Sequence, residues 1–247
     1  MNHFFVRPDQ IGDKFITIEG DDVNHIKNVL RMQQGGQICV RNGQNNKEYR
    51  CEIKSFEPGG ITAQIMWIEE MGIELPSRIY LFQGMPKGDK MEMIIQKSIE
   101  LGVYEIIPMF TKRTVVKLDE KKEENKRRRW TGIAESAAKQ SKRMIIPEVT
   151  KVMNFSEAVT YANQLDIRLI PYEMANGMKE CREKIGKIAP GQSVAVFIGP
   201  EGGFDEQEIR LAQENGMWPV TLGRRILRTE TAGLAALSIL MYHLERD

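Results

Sequence analysis

The chain has 247 residues, of which 41% are hydrophobic and 28% are charged, and its formal net charge is +1 at pH 7. This length suits one large domain, or a small domain followed by a medium one, and the composition is that of an ordinary globular protein. The small net charge excludes a chain that is basic throughout, so any surface for nucleic acid must be local.

The sequence has few features of a metal, disulfide or membrane protein. Its three cysteines form no CxxC pair, and its three histidines stand far apart. The first ten residues carry no apolar segment behind a basic one, and the longest apolar stretch, Leu234 to Tyr242, is shorter than the ~20 residues of a membrane span. We therefore expect a cytoplasmic protein that binds no metal and does not enter a membrane.

Short strand-like segments predominate in the first part of the chain. One helical segment, Asp22 to Arg31, interrupts them and places Val23, Ile26, Val29 and Leu30 on one face. Several short strands with one helix favour a small β-barrel domain, residues 1–73. The predicted strands lie at 14–18, 37–40, 49–53 and 61–67.

From Pro76 onward, apolar runs alternate with helical patterns. This alternation predicts βαβ units and a parallel sheet, and hence an α/β second domain, residues 74–247. The predicted strands lie at 78–82, 105–108, 166–170, 193–198 and 219–222. The predicted helices lie at 90–101, 119–142, 156–165, 178–188, 205–215 and 231–245.

A glycine-rich loop, Gly199-Pro-Glu-Gly-Gly203, follows the apolar strand Val194 to Ile198. Three glycines in five positions allow backbone to approach a ligand closely, whereas a simple tight turn needs fewer. The loop lacks the Lys-Ser/Thr of a P-loop and the G-x-G-x-x-G spacing, and Glu201 would repel a phosphate. Asp205, with Glu208 three residues on, predicts a capped helix start. The loop therefore favours a neutral or cationic ligand.

A second loop, Leu222 to Thr231, is rich in Arg and Thr and leads into a helix that we expect Thr229 or Thr231 to cap. A third polar segment, Pro171-Tyr-Glu173, ends another predicted strand. Because the carboxyl ends of parallel strands share one edge of a sheet, we expect the three loops to converge on one crevice.

The segment from Lys112 to Lys151 is locally basic. It carries thirteen Lys and Arg residues against six Asp and Glu, a net charge of +7. Such a run is often a solvated helix face, but the arginines at 224, 225 and 228 make a phosphate-contacting surface a reasonable hypothesis.

The two loops, Gly199-Pro-Glu-Gly-Gly-Phe and Leu222-Gly-Arg-Arg-Ile-Leu-Arg-Thr-Glu-Thr-Ala, resemble the signature loops of the 16S ribosomal RNA uridine N3-methyltransferases, a family of the SPOUT (trefoil-knot) superfamily. Similar stretches also begin at His25, Gln96 and Glu135, so the resemblance covers nearly the whole chain. It implies a PUA-like β-barrel that docks RNA, followed by a SPOUT α/β domain with a C-terminal trefoil knot. It also implies S-adenosylmethionine as cofactor, a homodimer, and a uridine in the decoding region of the small ribosomal subunit as substrate.

The resemblance also implies roles for individual residues. Methylation of uridine N3 requires a proton to leave, and Arg228 and Glu230 are the candidates for the stabilising cation and the base. The expected cofactor-binding residues are Tyr172, Glu173, Gly199, Pro200, Glu201, Gly202, Gly203, Leu222, Gly223, Ile226, Leu227 and Thr231. The expected RNA-binding residues are Arg31, Arg113, Arg127, Arg128, Arg143, Arg224 and Arg225.

Three other functions remain open at the level of sequence. Another SPOUT enzyme would methylate a ribose 2′-oxygen, and an assembly factor would bind RNA without chemistry. A Rossmann-type dehydrogenase is disfavoured because the phosphate-binding fingerprint is missing.

Overall fold

The computed structural model describes residues 1–70, 72–172 and 177–245. The chain divides into two compact units. The first contains Met1–Glu74 together with Ala138–Ile146, and the second contains Leu75–Ala137 and Pro147–Asp247. The segment 138–146 thus belongs to the first unit although it lies far along the chain.

The first unit is built on a five-stranded sheet in the order β1-β3-β4-β5-β2. Strands β1 and β3 are parallel, and the other neighbours are antiparallel. Alternate residues of the strands, such as Ile16 and Ile18, form its apolar core. The sequence predicted four of the strands, whereas β1 was not predicted. The strands are β1 (Asn2–Phe5), β2 (Phe15–Glu19), β3 (Gln37–Arg41), β4 (Lys47–Glu57) and β5 (Gly60–Glu70).

The helix of the first unit is shorter and less regular than predicted. Helix α1 (Asp21–Asn24) continues as a single π-helical turn, His25–Val29. Ile26 is buried, but Val29 is 61% exposed, so its predicted place on the apolar face was wrong. The wider π turn changes the direction of the side chains that follow it, because five residues separate the donor and the acceptor of each hydrogen bond.

Buried arginines hold the segment 138–146 within the first unit. Arg41 Nη1 donates hydrogen bonds to the backbone oxygens of Lys142 and Arg143, at 2.6 and 3.1 Å. Arg143 Nε in turn donates to both carboxylate oxygens of Glu74, at 3.0 and 2.8 Å. These contacts join parts of the chain that are about 70 to 100 residues apart.

The second unit is built on a parallel sheet of seven strands, which confirms the predicted parallel sheet. Its order is β12-β10-β11-β6-β7-β8, with β9 also paired to β7. The short strands β8 and β9 were not predicted. The strands are β6 (Arg78–Gly84), β7 (Glu105–Phe110), β8 (Glu148–Val149), β9 (Met153–Asn154), β10 (Ile167–Pro171), β11 (Ser193–Ile198) and β12 (Trp218–Val220).

All six predicted helices of the second unit are present. The start of α6 has the predicted capping box, because the Asp205 side chain accepts from Gln207 N while Glu208 accepts from Asp205 N. The helices are α2 (Lys90–Glu100), α3 (Glu120–Gln140), α4 (Phe155–Ala162), α5 (Met178–Gly186), α6 (Glu206–Glu214) and α7 (Thr229–Leu244).

The core of the second unit packs around its two central strands. Phe82 on β6 and Phe197 on β11 stack with their ring centroids 4.3 Å apart. Both are fully buried and stand near the carboxyl ends of their strands, so the core extends up to the loops that follow. No helix in the described parts of the chain is both long and apolar enough to cross a membrane.

Candidate active site

A cavity of about 490 Å³ lies at the carboxyl ends of β10 and β11, in the second unit. Its size is within the range of small-molecule sites, and it stands where ligands bind in open α/β sheets. The convergence of the three predicted loops on one crevice is thus observed. The lining residues are Lys90, Arg113, Pro171, Tyr172, Ile198, Gly199, Pro200, Glu201, Gly202, Gly203, Phe204, Ile226, Leu227, Arg228, Thr229 and Ala232.

The glycine-rich loop forms a tight turn against the end of β6. Gly203 N donates to Pro200 O at 2.9 Å, and Gly203 has a φ of +66°. A Cβ at Gly84, the last residue of β6, would lie 2.6 Å from Pro200 N. Only glycine at position 84 therefore lets this loop lie on the strand, a requirement that the sequence did not reveal.

A buried chain of hydrogen bonds fixes the first carbonyl of this loop. Gln83 Nε2 donates to Thr229 Oγ1 at 2.9 Å, and Thr229 Oγ1 donates to Gly199 O at 2.6 Å. The prediction that Thr229 or Thr231 caps α7 was wrong, because the N-cap is Arg228 and no side chain caps the helix there. The Thr229 hydroxyl is used instead to connect β6, the glycine-rich loop and α7.

Two carboxylates and one ammonium group stand together at the edge of the cavity. Lys90 Nζ lies 3.0 Å from Glu201 Oε1 and 3.3 Å from Glu230 Oε2. Although burial opposes it, the hydrogen bonds from Lys90 and from Lys87 N hold the pKa of Glu201 below its ordinary value. The hydrogen bond to Glu201 likewise raises the pKa of Lys90. Sequence reasoning missed Lys90, although the charged segment Lys87-Gly-Asp-Lys90 follows a strand of the same parallel sheet.

The expected cofactor residues divide into three groups. Eight of them line the cavity, as does the expected catalytic residue Arg228, and Glu230 reaches it through Lys90. Leu222, Gly223 and Thr231 are not among the lining residues, and Leu222 lines a separate apolar cavity. Glu173 lies outside the described residues. The eight are Tyr172, Gly199, Pro200, Glu201, Gly202, Gly203, Ile226 and Leu227.

The arginines expected to bind RNA differ in exposure. Arg113 lines the cavity and donates from Nη1 to Gly202 O at 3.0 Å, while Arg224 and Arg225 are exposed beside Ile226. Arg143 is only 5% exposed and is paired with Glu74, so its guanidinium serves the interior of the first unit. On α3, Arg127 is half-buried and Arg128 is exposed, and on the first unit Arg31 is exposed.

A cluster in the first unit brings together His3, Cys39 and Glu48, which are distant in sequence. Their ligand atoms lie within 4.8 Å of one another, a geometry that could hold a metal. However, Glu48 pairs with Arg41 and Arg50, and Arg50 Nη1 donates to Cys39 Sγ at 3.0 Å. Burial also raises the pKa of the Cys39 thiol to about 11, which keeps it protonated. Two guanidinium groups already balance the carboxylate, so a further cation would be repelled.

Two family models match the chain. A model of the RNA methyltransferase domain matches residues 73–241, and a model of the RNA methyltransferase PUA domain matches residues 18–66. These matches agree with the expected PUA-like N-terminal domain and the α/β methyltransferase fold.

Curated relatives are similar over most of the chain. Ribosomal RNA small subunit methyltransferase E of Bacillus subtilis is 41% identical over 93% of this chain and 90% of the relative. The protein of the same name from Mesomycoplasma hyopneumoniae is 33% identical over 96% and 98%.

Solved structures are similar as well. A putative methyltransferase of Legionella pneumophila in complex with S-adenosylmethionine superposes with a TM-score of 0.83, at 34% identity over 97% of this chain and 96% of that one. Ribosomal RNA small subunit methyltransferase E of Neisseria gonorrhoeae, bound to S-adenosylmethionine, has a TM-score of 0.82, at 30% identity over 98% and 97%.

Proposed function

The chain belongs to the ribosomal RNA small subunit methyltransferase E family, and we propose that it methylates N3 of a uridine in the decoding region of 16S ribosomal RNA. The observation that carries this proposal is the cavity at which Gly199–Gly203 and Ile226–Arg228 meet beside Glu230. S-adenosylmethionine is the methyl donor, because similar methyltransferase structures with the same fold bind it.

The lining of the cavity fits this cofactor. The exposed backbone of the glycine-rich loop offers donors and acceptors, and a Cβ at Gly199 would crowd Gly203 at 3.0 Å. The side chains of Ile226 and Leu227 supply apolar surface, and Glu201 supplies a negative charge. When bound there, S-adenosylmethionine supplies an electrophilic methyl group on a positively charged sulfonium.

The residues at the start of α7 would carry the proton transfer. Glu230 Oε2 is shielded from solvent and lies 3.3 Å from Lys90 Nζ, and its carboxylate would accept the N3 proton. Arg228 lines the cavity and would stabilise the negative charge that develops on the uracil ring. The loops would hold the methyl carbon and N3 in line, which lowers the entropic part of the barrier.

RNA binding would use basic side chains that are exposed or half-buried. We assign phosphate contacts to Arg31, Arg113, Arg127 and Arg128, together with Arg224 and Arg225. Arg143 is left out of this surface because it is buried against Glu74.

Several further features follow from family membership as proposals. Residues 1–73 would dock RNA and residues 74–247 would carry the chemistry, in a cytoplasmic homodimer. The segment from β11 to α7 would form the trefoil knot. Exposed apolar side chains near the end of the chain, Ile226 at 83% and Tyr242 at 88%, support a protein contact there. Light scattering of the purified protein measures whether it is a dimer.

The experiment that tests the proposed activity is methyl transfer from radiolabelled S-adenosylmethionine to small ribosomal subunits that lack their own modification. We expect labelled 3-methyluridine after nucleoside analysis. A labelled ribose would contradict the proposed target atom, and cofactor binding without any labelling would contradict the substrate. Single-turnover rates of Arg228→Ala and Glu230→Gln then test the roles of these residues, because unchanged rates would remove both from the chemistry.

A further inference from the structure

Lys90 joins two acidic side chains that come from different parts of the chain. It is the first residue of α2, whereas Glu201 lies on the glycine-rich loop and Glu230 is the second residue of α7. The ammonium nitrogen is 3.0 Å from Glu201 Oε1 and 3.3 Å from Glu230 Oε2. One cation therefore serves both carboxylates at the edge of the cavity.

Glu201 is held firmly enough to fix the position of this cation. Its two carboxylate oxygens also accept from the backbone nitrogen of Lys87, at 3.2 and 3.3 Å. The Lys90 and Glu201 side chains are about one-third exposed, so the pair is partly shielded from screening by water and salt. Glu201 thus acts on Glu230 through Lys90.

Glu230 depends on Lys90 for its electrostatic balance. Its side chain is 14% exposed, and Oε2 accepts no hydrogen bond of good geometry from the described residues. The other charged residues that line the cavity are Arg113, Glu201 and Arg228. In the described part of the chain, no ion pair joins Arg113 or Arg228 to Glu230, so Lys90 is its one ion-pair partner there.

We propose that Lys90 is a positioning residue for methyl transfer, which orients the Glu230 carboxylate and compensates its charge so that the carboxylate can accept the proton of the target base. This inference rests on the proposed function, because it assigns a partner to the proton acceptor named there. Lys90 itself acts through Glu230 and is fixed by Glu201.

The test compares the rates of single-turnover methylation at saturating S-adenosylmethionine and neutral pH. The variants are Lys90→Met, Lys90→Arg, Glu230→Gln and the double variant Lys90→Met/Glu230→Gln. Lys97→Met is the matched control, because Lys97 lies on the same helix and pairs with Glu100 away from the cavity. Calorimetry of cofactor binding and a thermal melt accompany each variant.

We expect Lys90→Met to slow the transfer about tenfold or more at neutral pH. Lys90→Arg keeps the charge and restores most of the rate, and Lys97→Met behaves as the wild type. In the Glu230→Gln background, Lys90→Met has no further effect, because both changes remove the same function.

Two results would overturn the inference while the wild type is active. One is a Lys90→Met variant whose single-turnover rate at saturating cofactor is unchanged, including one that only binds the cofactor more weakly. The other is an equal loss of rate from Lys90→Met with and without Glu230. An inactive wild type refutes the proposed function and this inference with it, so the two failures are distinguishable.

Discussion

Replacing Thr229 by Val tests whether the buried hydrogen bonds of the site hold the cofactor loop in place. The change keeps the shape of the side chain but removes the hydroxyl, which donates to Gly199 O at 2.6 Å and accepts from Gln83 Nε2 at 2.9 Å. Thr229 is 5% exposed and Gln83 is fully buried, so water does not readily replace the missing hydroxyl.

The size of the effect follows from these two bonds. Gln83 Nε2 keeps its bond to Gly84 O at 3.0 Å, so its loss is that of one ordinary hydrogen bond, about 1 kcal/mol. Gly199 O loses the donor at 2.6 Å, and an acceptor left without its partner costs about 1–3 kcal/mol. We expect the free energy of unfolding to fall by about 2–4 kcal/mol. Because Gly199 lines the cavity, we also expect weaker cofactor binding.

The assays are urea denaturation and calorimetry with S-adenosylmethionine. Thr160→Val is the matched control, since the Thr160 hydroxyl donates to Ser156 O on the exposed side of α4, and it should change stability by less than about 0.5 kcal/mol. Thr229→Ser keeps the hydroxyl and should retain most of the cofactor affinity. A Thr229→Val variant as stable as Thr160→Val, with wild-type affinity, would refute the argument.

Three other changes test separate features. Gly84→Ala should abolish cofactor binding, because its Cβ would lie 2.6 Å from a backbone nitrogen of the glycine-rich loop. Gly132→Ala is the control and should bind the cofactor normally, because Gly132 on α3 has open space around it. Equal affinities of the two variants would contradict this reasoning. Burial raises the pKa of Glu105, so the folded protein holds this proton more tightly than the unfolded chain, and stability falls as pH rises from the ordinary carboxylate pKa through the raised one. Glu105→Gln should remove that slope from denaturation curves recorded at a series of pH values, and an unchanged slope would exclude Glu105 as its source. If Arg224 and Arg225 bind phosphates, replacing both with Ala should make the plot of log RNA affinity against log salt less steep. The slope should fall by about 0.7–0.9 for each phosphate that is no longer neutralised. A plot parallel to that of the wild type would exclude phosphate contacts by these two arginines.

The sequence by itself determined the helices and five of the seven strands of the second unit, together with the loops that line the cavity. Strand and helix periodicity located β6, β7, β10, β11 and β12, because a buried parallel strand needs a continuous apolar run. Parallel strands bring their carboxyl ends to one edge, so the convergence of the three loops at the cavity could be derived from local pattern, whereas the individual cofactor residues were expected from the family resemblance.

Only the tertiary structure decided which residues from elsewhere in the chain complete this site. Gln83, Gly84 and Lys90 matter because the end of β6 and the start of α2 lie against loops more than 100 residues away. Nothing in the local pattern around these residues encodes that proximity.

Tertiary structure also decides whether a charged side chain faces solvent or pairs with a group in the interior. Arg143 lies in a basic run that favours RNA contact, yet it is buried against Glu74, because the segment 138–146 packs within the first unit. Local sequence shows that a side chain is charged, whereas its exposure and its ion-pair partner depend on long-range packing. Helix and strand periodicity follows from neighbouring residues, but ion pairs such as Lys90 with Glu201 and Glu230 arise only when distant segments meet.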